Sequence, residues 1–189
     1  LSQPGCFVVY TFPIPLTFNP YFENVRPAFD DAIILPQLPV INKDGSRNET
    51  NLDFYREVVR KRMEGHLIDD AVLDEAIVST GKLSEFVLIM RDATIKAYRN
   101  KREKIAKEDV ESALEKLRRT YDRTLTEAHK RRALEIHDSK EARDLDKDDG
   151  ISRELLFSLT AVEYEDENGR WCDVDPLILP LVEKWKMRE

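Results

Sequence analysis

Glycine is scarce in this chain and poorly placed for phosphate chemistry. The six glycines among 189 residues, at 5, 45, 65, 81, 150 and 169, nowhere form GxxxxGK(S/T), the loop whose backbone N–H groups wrap phosphates. No apolar strand ends in a paired acidic "DE" able to hold a magnesium-bound water. On its own the chain is therefore not expected to hydrolyse ATP. Cysteine is scarcer still: Cys6 and Cys172 stand far apart, without CxxC spacing or a histidine companion, so neither a zinc site nor a disulfide framework is indicated. That usage fits a reducing cytoplasm. His66, His129 and His137 lack metal-ligand spacing, and no Ser-His-Asp or Cys-His constellation stands out. No apolar run reaches membrane-spanning length. The opening "LSQPGCFVVYTFPIPL" has no basic n-region and no initiating methionine, and reads as an internal cut. A net charge of −7 disfavours bulk binding to polyanions, leaving only local basic faces for that role.

What is present falls into two regimes. Only 8 of the 67 charged side chains lie in the first 50 residues. There "CFVVYTF" and "AIILPQLPVI" are continuous apolar runs bounded by Pro and Asn, the pattern of strands buried on both faces of a parallel sheet. "NPYFENVRPAFDD" between them is long enough for a short crossover helix. Two strands cannot bury both faces alone, so this unit needs neighbouring strands that the chain does not contain.

From residue 50 the period becomes helical. A capping-box pattern at Thr50 to Asp53 precedes Leu52, Tyr55, Val59 and Met63, and Gly65 ends that run. Asp70 caps a second helix with Leu73, Ala76 and Ile77 inward, for which Gly81 supplies a left-handed stop. A third carries Leu83, Phe86, Met90, Ala93 and Ala97, with Val87 widening the stripe. A fourth runs from about Glu108 through Val110, Leu114, Leu117, Tyr121, Leu125 and Ala128, and its seam slips in "HKRRALEIHDSKEA". "DSKEARDLDKDDG" reads as a linker or frayed helix end. Beyond it, Ser152 caps a short apolar helix, "AVEYEDENGRWCDV" gives two strands around a turn containing Asn168 and Gly169, and "PLILPLVEKW" enters a last helix through Pro176. Trp171, Trp185 and Tyr164 supply a small core for this element.

In order of elements the chain resembles the C-terminal part of an AAA+ family P-loop ATPase, lacking the Walker A and Walker B segments. "FVVYTFPIPL" resembles the core strand that ends in a polar sensor, "ENVRPAFDDAIILPQLPV" the following helix and last strand, residues 51–140 the helical lid, and the tail a winged-helix-like domain. The resemblance implies a mainly α fold with an α/β remnant. Residues 1–50 would be the edge of the parallel nucleotide-binding sheet, 51–140 the lid bundle, 141–150 a linker and 151–189 the winged-helix-like α+β element. It implies ATP and Mg2+ as cofactors of the intact module, not bound by this chain alone, with the missing segment lying before Leu1. It also implies a homo-oligomer or a protein partner.

The resemblance assigns roles residue by residue. Thr11 matches the sensor 1 position, where a hydroxyl orients water or a γ-phosphate, although threonine is also an ordinary strand residue. Arg26 stands where the family sends an arginine finger into a neighbouring subunit, a task suited to a fixed charge and planar fork. Ala28 and Phe29 follow Pro27, so no second arginine is present. In "STGKLSEF" Gly81 matches the sensor 2 glycine, but Ser84 occupies the arginine position. Lys82 and Arg91 are the nearby cations, and a plain amphipathic helix accounts for both. Two other readings stand beside this one: a non-catalytic helical module that docks a partner protein, and a winged helix that binds DNA. The acidic "EYEDENG" at the presumed wing repels phosphate and points to a protein contact.

Overall fold

The computed structural model describes residues 8–12, 16, 21–31, 33, 35, 37–141 and 150–187. It divides into two units, Leu1–Leu35 and Pro36–Glu189.

In the first unit, helix α1 (Phe22–Val25) runs into a 3-10 turn, Arg26–Ala28, with Pro27 inside its first turn. Phe12 packs against Phe22 and Phe29, with centroids 5.2 and 6.4 Å apart, and Tyr10 meets Phe29 edge-on at 5.7 Å. These rings, with Leu16, Tyr21 and Val25, line a cavity of about 390 Å³. The expected parallel strands are not found among the described residues: 8–12, 33, 35 and 37–40 belong to no ladder, and Ile41 makes one antiparallel bridge, to Arg47. The physical reason is the one that made the pair incomplete, since two strands without neighbours leave both faces and both edges unmet. Cys6 and Ala32 lie outside the described residues.

The end of the second apolar run belongs instead to the second unit, as an extended arm on the helices. Val40 is 1% exposed and sits in the main core. The Asn51 side chain donates to the Pro39 carbonyl at 2.8 Å, and the Gln37 amide donates to the Gly81 carbonyl.

The main core is a helical bundle made of α2 (Glu49–Arg60), α3 (Asp70–Val78), α4 (Leu83–Arg99) and α5 (Lys107–Thr124). Helix α2 starts two residues before the expected capping box, because the Asn48 side chain accepts from the Asn51 N–H. Leu52, Tyr55 and Val59 are buried as the period predicts, and so are Leu73, Ala76 and Ile77 of α3. Arg56 grips Asp74 with two bonds of 2.7 Å and so ties α2 to α3. The buried stripe of α4 is Phe86, Ile89, Met90, Ala93 and Ala97, while Leu83 and Val87 stay exposed. The stripe is therefore turned towards Ile89 and away from Val87.

The long fourth helix is in fact two. Leu125 is extended and Thr126 caps a new helix, α6 (Glu127–Ser139), by accepting from the His129 N–H. The break falls inside the run Leu125 to Ala128 that the sequence assigns to one seam, ahead of the slip expected from His129 on, and α6 leaves the bundle to pack with the tail, against α7 (Gly150–Phe157), strand β2 (Gly169–Val174) and α8 (Leu179–Lys186). Ser152 is not a cap. It lies inside α7, buried, and accepts from Arg132 of α6 at 2.8 Å. Strand β1 (Ala161–Asp166) pairs antiparallel with β2 through a two-residue turn, Tyr164 opposite Trp171 with rings 4.5 Å apart. Glu141 bridges to Trp171 on the other edge of β2. Among the described residues the fold is thus mainly helical with one small two-stranded antiparallel sheet. Among the described residues no helix is long and apolar enough to cross a membrane.

Candidate functional site

Bundle and tail meet at a buried polar cluster built around Lys82, the residue before α4. Its side chain is 8% exposed. The ammonium donates to the Tyr121 hydroxyl at 2.8 Å and to the Leu159 carbonyl at 3.1 Å, and pairs with Glu85 at 2.9 Å and Asp175 at 3.1 Å. Tyr121 in turn donates to Glu85 at 2.6 Å. Three elements are joined here: the start of α4, the last turn of α5, and the tail segments that lead into and out of the hairpin.

Chain geometry explains why the segment can come so close. Asp175 and Pro176 open a 3-10 turn, Pro176–Ile178, in which the Asp175 carboxylate accepts from the Leu177 N–H at 2.8 Å. Leu177 is fully buried in the bundle core, and its carbonyl accepts from Arg118 of α5 at 2.7 Å. Proline 176 and the Asp175 carboxylate then lie flat against Gly81. A Cβ there would sit 2.7 Å from Pro176 Cδ and 2.9 Å from Asp175 Oδ2. The glycine is required by this approach and not by a left-handed helix stop, since α3 already ends at Val78 with Ser79 as its cap, and positive φ among the described glycines is confined to Gly45 and Gly169.

The cluster holds one cation and two carboxylates. Glu85 Oε2 and Asp175 Oδ2 have no hydrogen-bond partner; the latter lies 3.1 Å from the ammonium but outside hydrogen-bonding geometry. Burial alone would lower the Lys82 pKa, but Asp175, Tyr121 and Glu85 outweigh it and hold the amine above its usual range. An amine kept charged and filled with partners is an anchor, not a nucleophile or base. Burial raises the Asp175 carboxyl, with Lys82 pulling the other way. Burial also pushes the Tyr121 and Tyr55 phenols up to about 12.

These raised values set an alkaline limit. Between the ordinary values of 10.0 for tyrosine and 10.5 for lysine and the higher native ones, the folded chain holds more protons than the unfolded chain. Stability from Tyr55 and Tyr121 is therefore complete below pH 10 and lost as pH rises through about 10 to 12, while that from Lys82 is complete below its ordinary 10.5 and lost only at still higher pH. The urea midpoint measured at half-unit steps is expected to drop across that window, less steeply in Tyr121→Phe. An equal slope in the variant would show that Tyr121 titrates as it does unfolded.

The six residues singled out by sequence are distributed as follows. Thr11 lines the aromatic cavity of the first unit, on a segment without strand pairing, and Arg26 is exposed in the 3-10 turn after α1. Gly81 and Lys82 are buried together in the cluster. Ser84 is exposed in the first turn of α4, and Arg91 is exposed and paired with Asp92 at 3.0 Å. Lys82 is thus not the plain helix-face lysine that its period suggests. Glu85, Tyr121 and Asp175 were not singled out by sequence. The available signals were a tyrosine in an apolar seam, whose hydroxyl needs a partner when buried, and an aspartate directly before a proline-started turn. Among the described residues no group of three His, Cys, Asp or Glu is placed to hold a metal ion. Comparison of the chain with protein-family models, curated proteins and solved structures finds no match.

Proposed function

We propose that the chain is the lid-and-tail portion of an AAA+ type ATPase, which passes the state of a nucleotide held by other polypeptide to a tail that contacts a subunit or a protein partner. The observation that carries this reading is the wiring of Lys82. It stands beside Gly81, at the corner of α4 where the resembled family reads its nucleotide, and it is bonded to the tail at Leu159 and Asp175. A shift of that corner moves the tail segment with it, so two positions of α4 are two positions of the tail. The sensor 2 helix itself does not fit a phosphate: Lys82 is turned to carboxylates, Ser84 is neutral and Arg91 is engaged by Asp92. In this reading Thr11 and Arg26 are the sensor 1 and finger residues, and α4 acts by position, not by charge.

The tail is read as winged-helix-like. In support, the order α6, bridge at Glu141, α7, β1, turn, β2 places the bridge on the far edge of β2. Its surface favours protein over nucleic acid, because Glu165, Asp166 and Glu167 crowd the turn and Glu154 and Phe157 are exposed on α7. That same surface is the ground for the second reading, a non-catalytic helical module that docks a partner.

Calorimetric titration of the full-length polypeptide with MgATP, and hydrogen exchange of the tail amides with and without it, test the proposal. Binding is expected in the full-length protein and not in these 189 residues. Tail exchange is expected to change on binding in the native sequence and not in Lys82→Met. A full-length protein that binds no nucleotide would overturn the proposal in favour of the docking module.

A further inference from the structure

The second unit carries an apolar groove of about 450 Å³ that the Lys82 cluster does not use. Phe86, Met90 and Ala97 of α4 line it together with Val59 of α2, Met63 and Ile105. Val87 and Tyr98, 44% and 82% exposed, stand at its lip with nothing over them among the described residues. From Phe86 to Tyr98 it follows α4 for about 18 Å at 1.5 Å per residue, the length of a three-turn helix. Two of the three methionines of the chain face it, and methionine adapts its shape to a docked surface.

The rim has a sign. Arg62, Arg91, Arg102 and Lys104 line the groove against a single Glu103, in a chain whose net charge is −7. Arg62 donates to the Val58 carbonyl at 3.0 Å. Lys104 pairs with Asp69 at 2.7 Å, both exposed, a pair that exchanges at little cost, and the exposed Arg91 pairs at 3.0 Å with the half-buried Asp92, which Lys116 also holds at 2.7 Å. Arg102 bonds the buried Asp109 at 2.8 Å and belongs to the fold.

We infer that this groove docks an amphipathic helix whose apolar stripe is flanked by aspartate and glutamate. Apolar anchors at i, i+3, i+4 and i+7 enter between α2 and α4, and the flanking carboxylates meet Arg62, Arg91 and Lys104. The inference does not rest on the nucleotide reading, since no residue it uses belongs to that mechanism except Arg91, which is not part of its test.

A display library of 16-residue helices with randomised positions, selected on the intact 189-residue chain, tests it. Enriched peptides are expected to carry the i, i+3, i+4, i+7 apolar pattern and an excess of acidic over basic residues. Their Kd, read by fluorescence anisotropy, is expected to rise about tenfold in Val87→Glu and about tenfold in Arg62→Glu/Lys104→Glu. Peptides with the flanking acids changed to lysine are expected to prefer the charge-reversed variant, which a merely unfolded variant would not show. The inference is overturned by no enrichment, by basic or non-helical binders, or by binding that survives both variants. It is also overturned if the chain dimerises at micromolar concentration and Val87→Glu makes it monomeric, since the occupant would then be a second copy.

Discussion

Replacing Lys82 with methionine is expected to cost about 3–5 kcal/mol, the usual loss when one partner of a buried ion pair is removed and the other stays behind. Methionine keeps the length of the apolar stem, so the loss reports charge and not a cavity. Two carboxylates would remain, Asp175 fully buried and Glu85 13% exposed, with the Leu159 carbonyl and the Tyr121 hydroxyl also robbed of their donor. Against the ~5–15 kcal/mol that holds a domain together, such a loss either unfolds the chain or releases the tail. Urea denaturation gives the size, and hydrogen exchange at residues 159–178 tells the two outcomes apart.

The same variant carries its own pH signature. With the ammonium gone, Asp175 lowers its cost by taking a proton, and burial already raises its carboxyl. The destabilisation should therefore be smallest at acid pH and grow as the pH rises and Asp175 is forced to ionise. Adding Asp175→Asn to Lys82→Met is expected to return part of the loss, because a neutral amide at that place leaves no uncompensated charge. A loss under about 1 kcal/mol for Lys82→Met would mean that water reaches the cluster, and the anchor would then not exist.

The bundle was legible because its helices bury stripes: Leu52, Tyr55 and Val59, or Leu73, Ala76 and Ile77, recur at helical spacing and are buried in fact. The cluster was not, because its partners are brought together by the fold. Lys82 meets Tyr121 39 residues on and Leu159 77 residues on, separations at which spacing carries no information. Lys82 and Glu85 look like one solvated i, i+3 pair until the tail is laid over them. The apolar runs at 6–12 and 32–41, whose described residues join no ladder, are harder to read for another reason. A continuous apolar stretch has no period, and Val40 is buried in an extended arm as completely as it would be in a strand. The break at Leu125 was not legible: the slip in apolar spacing begins only at His129, and Thr126 as a cap was hidden inside a long helical pattern. Gly81 was noticed and misread. A helix stop is a local explanation, and the operative one lies in Asp175 and Pro176.

That correction gives the second large effect. Gly81→Ala is expected to cost about 1–3 kcal/mol through overpacking alone. The added methyl would lie 2.7 Å from Pro176 Cδ and 2.9 Å from Asp175 Oδ2. Neither neighbour is the loose end of a flexible chain: the proline ring fixes its own backbone, and the Asp175 carboxylate is held by the Leu177 N–H and by Lys82. Relief has to come from moving the whole 3-10 turn, which withdraws Leu177 from the bundle core and opens the Lys82 pair, so the measured loss should exceed the steric part. Gly65→Ala and Gly150→Ala provide the contrast. A Cβ at either meets nothing within 4 Å and neither glycine has positive φ, so each is expected to be neutral or stabilising by up to about 1 kcal/mol through the unfolded chain. Pro176→Ala in the Gly81→Ala background removes the nearer clash and should restore part of the stability. If Gly81→Ala proves as mild as Gly65→Ala, the tail does not rest on this glycine, and the route from α4 to the tail fails with it.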